Sequence, residues 1–463
     1  MNTLHLAWRN ILRNRRRSLL TLAAIAVGSL AVLLFGGYVS ATITVLHTET
    51  VRSVGHLQIQ QRGNLEFGRA NPGRFAVQNY QALIAQLRGD AQLGPKLAVV
   101  TPLLQVQGVA GNFSAGVSSS FFGLGVVPGE QTAMLAWDGL GMRRPPGISL
   151  LQEDRPEGGI IGRGLAQLLA LCAALEVRDC RQMPGDNPGA AAADMPADIE
   201  VLAASGRMAG AADDTPGVAI ELLSASPSGA PNVVSMQVLR AEQQGVREID
   251  NMLVNMPLGL AQRMVFGAGT PAVSAIVIQL KDSGDLELAR QRIEAIAADS
   301  GQALEVLDFH VINPAFDQII NMFVAIFRFI ALLMGIVALF SVASAVNMAV
   351  SERIGEIGTL RALGFKRAHI RRLFVTEGAL LGLLGVAAGA ALAVLLTEAI
   401  NQSGLAWTPP GRTAVVPLGV DVLGDPRLIG VTVTVMIVLA AVSAWLPARR
   451  AAAREIVEAL RHA

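Results

Sequence analysis

The chain has 463 residues, of which 52% are hydrophobic and only 16% charged, with a mean hydropathy of +0.46. A soluble globular chain carries about 25% charged residues, so the composition excludes a wholly soluble protein and predicts membrane spans. A net charge of +1 gives no ground for a nucleic-acid partner.

Leu4, Trp8, Ile11 and Leu12 share one helical face at the N-terminus, while Arg9, Arg13, Arg16 and Arg17 point elsewhere. Residues 1–17 are therefore expected to form an amphipathic helix in the cytoplasmic interface, with Trp8 at headgroup depth, or simply a basic anchor that sets orientation. Residues 18–46 contain no Asp, Glu, Lys or Arg. A signal peptide has an apolar region of about 7–15 residues, whereas a span needs roughly 20. This run reads as an uncleaved first span.

Residues 47–317 change in character. "GHLQIQQ" (55–61) alternates as a strand does, "NYQALIAQLRG" (79–89) places Leu83, Ile84 and Leu87 on one side of a helix, and "KLAVVTPLLQVQGVAG" (96–111) reads as strand again. The order recurs at the end of the segment. "VSAIVIQLKD" (273–282) is a strand, "DLELARQRIEAIAADSG" (285–301) a helix closed by Gly301, and "ALEVLDF" (303–309) a strand. Two β-α-β units, 55–111 and 273–309, thus bracket the domain and are expected to pair into one α+β module. Between them, 112–272 is rich in Gly, Ala and Pro, with strand-like pieces such as "VVSMQVL" (233–239). It predicts a β-rich subdomain with a mobile stretch at 183–200. Cys172 and Cys180 fall here. Eight residues apart on one straight helix they would lie about 12 Å from each other, too far to bond. They form either a disulfide across a turn, permitted in an oxidising compartment, or two free buried thiols.

Three further spans are expected at 318–350, 373–397 and 428–448, separated by a segment at 351–372 and a short loop at 398–427, and followed by a tail at 449–463. Lys and Arg crowd the N-terminus, the 351–372 segment (Arg353, Arg361, Lys366, Arg367, Arg371, Arg372) and the tail, but the 398–427 loop has only Arg412 and Arg427. The positive-inside rule then puts both termini and 351–372 in the cytoplasm, and 47–317 outside it. Arg328 precedes the uncharged run of the second span. It either snorkels to the interface or contacts a substrate headgroup. Glu377, near Arg371 and Arg372, is expected to form a local ion pair.

No catalytic constellation emerges. The chain has no G-x-x-x-x-G-K-[ST], H-E-x-x-H, C-x-x-C or G-x-S-x-G, so no catalytic, cofactor-binding or metal-binding residue is assigned. The histidines (5, 47, 56, 310, 369, 462) look scattered, and Asp213 and Asp214 sit in a loop-like, solvated stretch.

The 351–364 segment is the better lead. Ile354, Ile357, Leu360 and Leu363 step by three, which spreads them over about half the circumference of a helix. That predicts a short helix gripped on two sides, closed by a left-handed Gly364 and followed by a second helix from Lys366. Glu352, Glu356 and Arg361 remain for polar contacts. Such a connector is either a stiff element for a cytosolic motor to push or an ordinary polar hairpin.

"SERIGEIGTLRALGFKRAHIRRLFVTEGALLGLLG" (351–385) resembles the signature of the FtsX-like permease domain of MacB-type ABC transporters. "LAWRNILRNRRRSLLTLAAIAVG" (6–28) resembles that family's first span, and "LPARRAAAREIVEALR" (446–461) its tail. "VGHLQIQQRG" (54–63) and "MLVNMPLGLAQRMV" (252–265) are similar to periplasmic pieces of its lipoprotein-releasing (LolC/LolE-like) branch. Residues 165–232 match least. The resemblance implies a four-span inner-membrane permease with a large periplasmic α+β domain between the first and second spans. It implies two ABC ATPase subunits carrying ATP and Mg, a second permease subunit in a homo- or heterodimer, and no cofactor in this chain. The coupling segment would comprise Glu352, Arg353, Ile354, Glu356, Ile357, Leu360, Arg361 and Gly364. The first and second spans would act as stiff levers on a lipoprotein or lipid-like cargo in the outer leaflet, with a periplasmic acceptor or adaptor. The rivals are MacB-like export of a peptide, toxin or drug, transmembrane signalling to a periplasmic hydrolase, and a membrane enzyme sited in 47–317.

Overall fold

The structure is a computed structural model that describes residues 3–13, 15–68, 71–141, 147–177, 218–227, 229–267, 269, 271–408 and 415–453. Cys180, the 183–200 stretch, Asp213, Asp214, Arg412 and the tail beyond 453 lie outside the described residues. The chain divides into two compact units. The first comprises Met1–Thr44, Gln318–Trp407 and Pro417–Ala463, and the second Val45–Asp317 and Thr408–Val416.

In chain order the elements are α1 (Thr3–Arg13), α2 (Arg15–Val54), β1 (Leu57–Gln61), α3 (Tyr80–Gly89), β2 (Leu97–Asn112), β3 (Val117–Val126), α4 (Pro128–Leu135), β4 (Gly158–Gly162), α5 (Arg163–Leu168), β5 (Val218–Ala225) and β6 (Pro231–Glu242). They continue with α6 (Arg247–Asp250), β7 (Leu253–Pro257), α7 (Leu258–Phe266), β8 (Ala275–Leu280), α8 (Leu286–Asp299), β9 (Leu304–Asp308), α9 (Phe309–Ile312), α10 (Pro314–Glu352), α11 (Ile354–Ala362), α12 (Arg367–Ser403) and α13 (Pro426–Ala453).

Among the described residues four helices, α2, α10, α12 and α13, are long and apolar enough to cross a membrane. They overrun the apolar runs that announce them. α2 continues past Leu46 through His47, Thr48 and Glu49 to Val54, and α12 begins at Arg367 and ends at Ser403. Polar residues end a hydrophobic run but need not end a helix. Gly404, left-handed at φ 66°, closes α12. Small residues bring the helices together. A Cβ on Gly378 would lie 2.6 Å from Ala444 Cβ of α13, and one on Gly382 2.6 Å from Ala440 Cβ, the close approach that small residues permit between apolar helices. The core there joins Ile25 of α2, Val342 and Val346 of α10, Phe374 of α12, and Ala440 and Ala444 of α13. α1 packs on α12. Ala7 and Ile11 are buried, whereas Trp8 and Leu12 are exposed, so the buried face is narrower than the apolar pattern suggests.

In the second unit the two β-α-β segments interleave. β1 pairs antiparallel with both β8 and β9, and β8 pairs antiparallel with β2. The order β2-β8-β1-β9 places the strands of each unit parallel with one strand of the other between them, a split β-α-β arrangement. Leu57 and Ile59 point into a core with Leu87, Ile276, Ile278 and Ile293. The alternate side chains of β1, Gln58 and Gln60, are buried as well. They are satisfied by an amide chain: Asn64 Nδ2 donates to Gln60 Oε1 (2.9 Å), Gln60 Nε2 to Gln58 Oε1 (2.8 Å), and Gln58 Nε2 to the Val54 carbonyl (2.7 Å). Buried polar groups need such partners. The far half of β2 enters a second arrangement, in which β2, β3, β7, β4, β6 and β5 pair in succession and the β5–β2 pairing closes the ring. "VVSMQVL" lies within β6.

Candidate functional site

The connector between α10 and α12 belongs to the first unit. α10 ends at Glu352, and Arg353 leaves helical geometry (φ −119°, ψ 22°) before α11 begins. α11 closes on Gly364 at φ 89°. The Phe365 N–H donates to the Leu360 carbonyl and the Gly364 N–H to that of Arg361, both at 3.1 Å, the hydrogen bonds of a Schellman cap. Ile357 and Gly358 are buried, with Ile357 in the core shared by Ile370, Phe374, Ala448 and Ala451. Ile354 and Leu360 are half-buried, so apolar contact lies on more than one side of α11.

Three charged side chains brace the connector. Arg353 donates from Nε to Glu356 Oε2 at 3.0 Å and from Nη2 to Asn10 Oδ1 of α1, and its Nη1 lies 3.8 Å from Glu377 Oε2 of α12. Glu356 Oε1 in turn meets Arg13 Nη1 at 3.0 Å. Arg361 Nη1 donates to the Ala452 carbonyl of α13 at 2.9 Å. α1, α12 and α13 thereby hold α11 in one pose. The expected partners of Glu377, Arg371 and Arg372, are exposed instead. They precede it by six and five residues, spacings that do not share a helix face, and Glu377 points inward at 3% exposure.

What the connector presents outward is its tip. Leu363 is 73% and Phe365 39% exposed, flanking the Gly364 turn, and Lys366, Arg367, Arg371 and Arg372 follow, all exposed. Glu352 is exposed too. Of the expected coupling residues, then, Ile357 anchors, Arg353, Glu356 and Arg361 brace, Gly364 turns the chain, and Glu352 faces solvent. Leu363 and Phe365 form the exposed tip, and Asn10 and Arg13 of α1 share in the bracing. The signal for the tip is an apolar pair flanking a left-handed glycine beside a basic run.

Arg328 is exposed on α10, well inside the helix rather than at its end. Cys172 is disulfide-bonded, and the other cysteine, Cys180, is outside the described residues. Among the described residues no group of His, Cys, Asp or Glu converges as metal ligands would.

Three of the six histidines, His47, His56 and His310, come together in space. Within the second unit His47 lies 6.3 Å from His56 and 5.2 Å from Phe309, ring to ring, His56 lies 5.1 Å from Trp137, and His310 stacks on Phe309 at 4.1 Å. His310 Nδ1 meets Asp317 Oδ1 at 2.7 Å. His56 is fully buried. Its Nδ1 accepts from the Leu280 N–H (3.1 Å), and its Nε2 lies 2.9 Å from Ser283 Oγ. The cluster draws on residues far apart in the chain, so only tertiary structure reveals it.

Residues 328–456 match the family described as FtsX-like permease C-terminal, so the braced connector and the two helices after it lie in an FtsX-like permease domain. Relatives of the chain are ABC transporter permeases. A macrolide export ATP-binding/permease protein MacB 1/2 of Paracoccus denitrificans is 29% identical over 159 residues, 33% of this chain and 23% of that protein. A lipoprotein-releasing system transmembrane protein LolC of Neisseria meningitidis serogroup B is 26% identical over 248 residues, 51% of this chain and 58% of that protein. The chain thus spans about a quarter of the former and just over half of the latter. Among solved structures, the periplasmic region of MacB from Actinobacillus actinomycetemcomitans aligns over 58% of this chain and 95% of that one at 10% identity, with a TM-score of 0.31, too low to bear on the fold.

Proposed function

We propose that the chain is a permease subunit of an ABC transporter in the inner membrane, with both termini and the 351–372 connector cytoplasmic and residues 47–317 periplasmic. The braced connector carries the proposal. A short helix locked to α1, α12 and α13 but tipped by exposed Leu363 and Phe365 suits a surface that receives force without bending. Seating each apolar side chain in a partner's groove would contribute about 1.5–3 kcal/mol. The basic residues after the tip favour an acidic rim on that groove. These 463 residues hold no P-loop sequence, so ATP and Mg are assigned to a partner ATPase, in two copies, beneath this permease and a second one, identical or related. α2 and α10 are unbroken helices of 40 and 39 residues, each about 60 Å long, suited to carrying motion.

For cargo we favour a lipoprotein or lipid-like molecule drawn from the outer leaflet. Apolar spans with few charges offer no polar path across the bilayer, and β1 lies in the segment that resembles the lipoprotein-releasing branch. The test is native mass spectrometry of the complex purified from its own host. A P-loop protein in a two-to-two assembly with bound acylated material is expected. An adaptor and outer-membrane channel would turn the reading toward export of a peptide or drug, and a periplasmic hydrolase toward signalling. A permease that comes without any ATPase would overturn the proposal.

A further inference from the structure

The second unit contains a cavity of about 450 Å³, within the roughly 300–1,000 Å³ of small-molecule sites. Leu103 of β2, Phe122 and Leu124 of β3, Met134 of α4, Leu253 of β7 and Val277 of β8 give it apolar walls. The period of a strand explains β3's share: Phe121 is in the core, and Phe122 and Leu124, on the opposite face, line the cavity.

Two wall residues carry polar atoms that the fold leaves unused. Arg52, near the end of α2, is 7% exposed. Its Nε donates to the Trp137 carbonyl at 2.7 Å, its Nη1 lies 3.7 Å from Glu49 Oε1, and its Nη2 is buried without a hydrogen-bond partner. Asn255 of β7 likewise has a buried, unpartnered Oδ1. Native folds rarely leave such atoms unpaired, because each forfeits its hydration for nothing. Among the described residues of the wall Glu242 is the one acid and Arg52 the one base. Burial pushes the Glu242 carboxyl above its usual range, and Arg52 places a buried guanidinium at the wall.

We propose that this cavity binds a single-chain amphiphile with a carboxylate head, its chain against Phe122, Leu124 and Leu253 and its head on Arg52. One unpaired guanidinium nitrogen matches one carboxylate, whereas a phosphate dianion would ask for more donors. A neutral head would meet the guanidinium with a weaker, uncharged hydrogen bond, and a cation would be repelled. The proposal leans on the transporter reading only in expecting lipid-derived molecules to reach this unit.

The experiment uses the whole protein in phosphatidylcholine nanodiscs, photolabelled with diazirine-bearing palmitic acid and, in parallel, with the corresponding neutral alcohol. Label is expected on peptides of β3 and α4, displaced by unlabelled palmitate. The alcohol should label about tenfold less, as loss of a charge-assisted contact implies. Arg52→Gln should lose about tenfold and Arg52→Lys less. Leu124→Trp, which narrows the cavity, should block labelling while circular dichroism and the thermal midpoint hold. Equal labelling by acid and alcohol, label confined to the apolar helices, or unchanged labelling of Arg52→Gln would each overturn the site. Should Arg52→Gln fail to fold, Leu124→Trp and the acid-to-alcohol ratio in the parent decide. Labelling needs no ATPase, so failure of the transporter reading leaves this test intact.

Discussion

His56 should make the second unit acid-sensitive. Its Nδ1 accepts the Leu280 N–H, which demands the neutral tautomer with the proton on Nε2, next to Ser283 Oγ. Burial first, and the His47 ring second, push its pKa down from 6.5 to about 4, against a smaller opposing pull from Asp282. In the unfolded chain the imidazole takes its proton near 6.5, and in the folded unit only near 4. Between these values the unfolded state binds more protons, so stability falls as pH drops through the window and is flat above it. The full displacement corresponds to about 3 kcal/mol. Glu242, whose pKa burial raises, acts in the opposite sense above its usual 4.5. Asp90 is held below its usual 3.8 by Arg292, and its contribution is lost only at lower pH. The informative quantity is therefore the difference between parent and His56→Gln. Guanidinium unfolding in nanodiscs at pH 7.5, 6.5, 5.5 and 4.5, followed by near-UV circular dichroism with Trp137 as the adjacent chromophore, should show the parent losing stability in acid and the variant losing much less. An identical pH slope in the two proteins would refute the assignment.

Four further outcomes are expected. Leu363→Asp with Phe365→Asp should weaken ATPase capture at least tenfold in a pull-down while membrane insertion is unchanged, since desolvated apolar anchors dominate interfaces of this kind. Glu356→Lys or Arg361→Glu should uncouple or abolish ATPase docking by loosening the brace, and full ATP-dependent function in both variants would contradict that role. Arg353→Gln removes a cation from beside the buried Glu377 carboxylate and should destabilise the unit by about 1–3 kcal/mol, part of it recovered when Glu377→Gln is added, as a double-mutant cycle would measure. Gly382→Leu, which drives a side chain into Ala440, should lower the thermal midpoint through about 1–3 kcal/mol of overpacking.

The apolar runs were legible because a helix in hydrocarbon must be apolar all round, and such runs survive any tertiary context. Their ends were less so: α2 continues eight residues past Leu46 because nothing in "HTETVRSV" (47–54) breaks a helix. The strand and helix order at 55–111 and 273–309 could be read from periodicity, but the interleaving of the two units could not, because pairing across some 200 residues leaves no local trace. Gly364 advertised its turn through the steric freedom glycine alone has. Glu377 misled, since its basic neighbours in sequence are not its neighbours in space. The clustering of His47, His56 and His310 was hidden for the same reason, as was the wall of the cavity, assembled from eleven elements.

β2 belongs to both β arrangements of the second unit. Its first half, Leu97–Leu103, pairs with β8, and its second, Leu104–Asn112, with β3. The insertion from 113 to 272 thus springs from the end of a strand whose second half already pairs with it. The two halves make separate ladders on one continuous strand, so opening one is expected to fray the other. They should exchange their amide hydrogens as a single cooperative block rather than as two foldons. Whatever is exchanged into the insertion during evolution therefore inherits a rigid footing, and any load applied to one half is felt at once by the other.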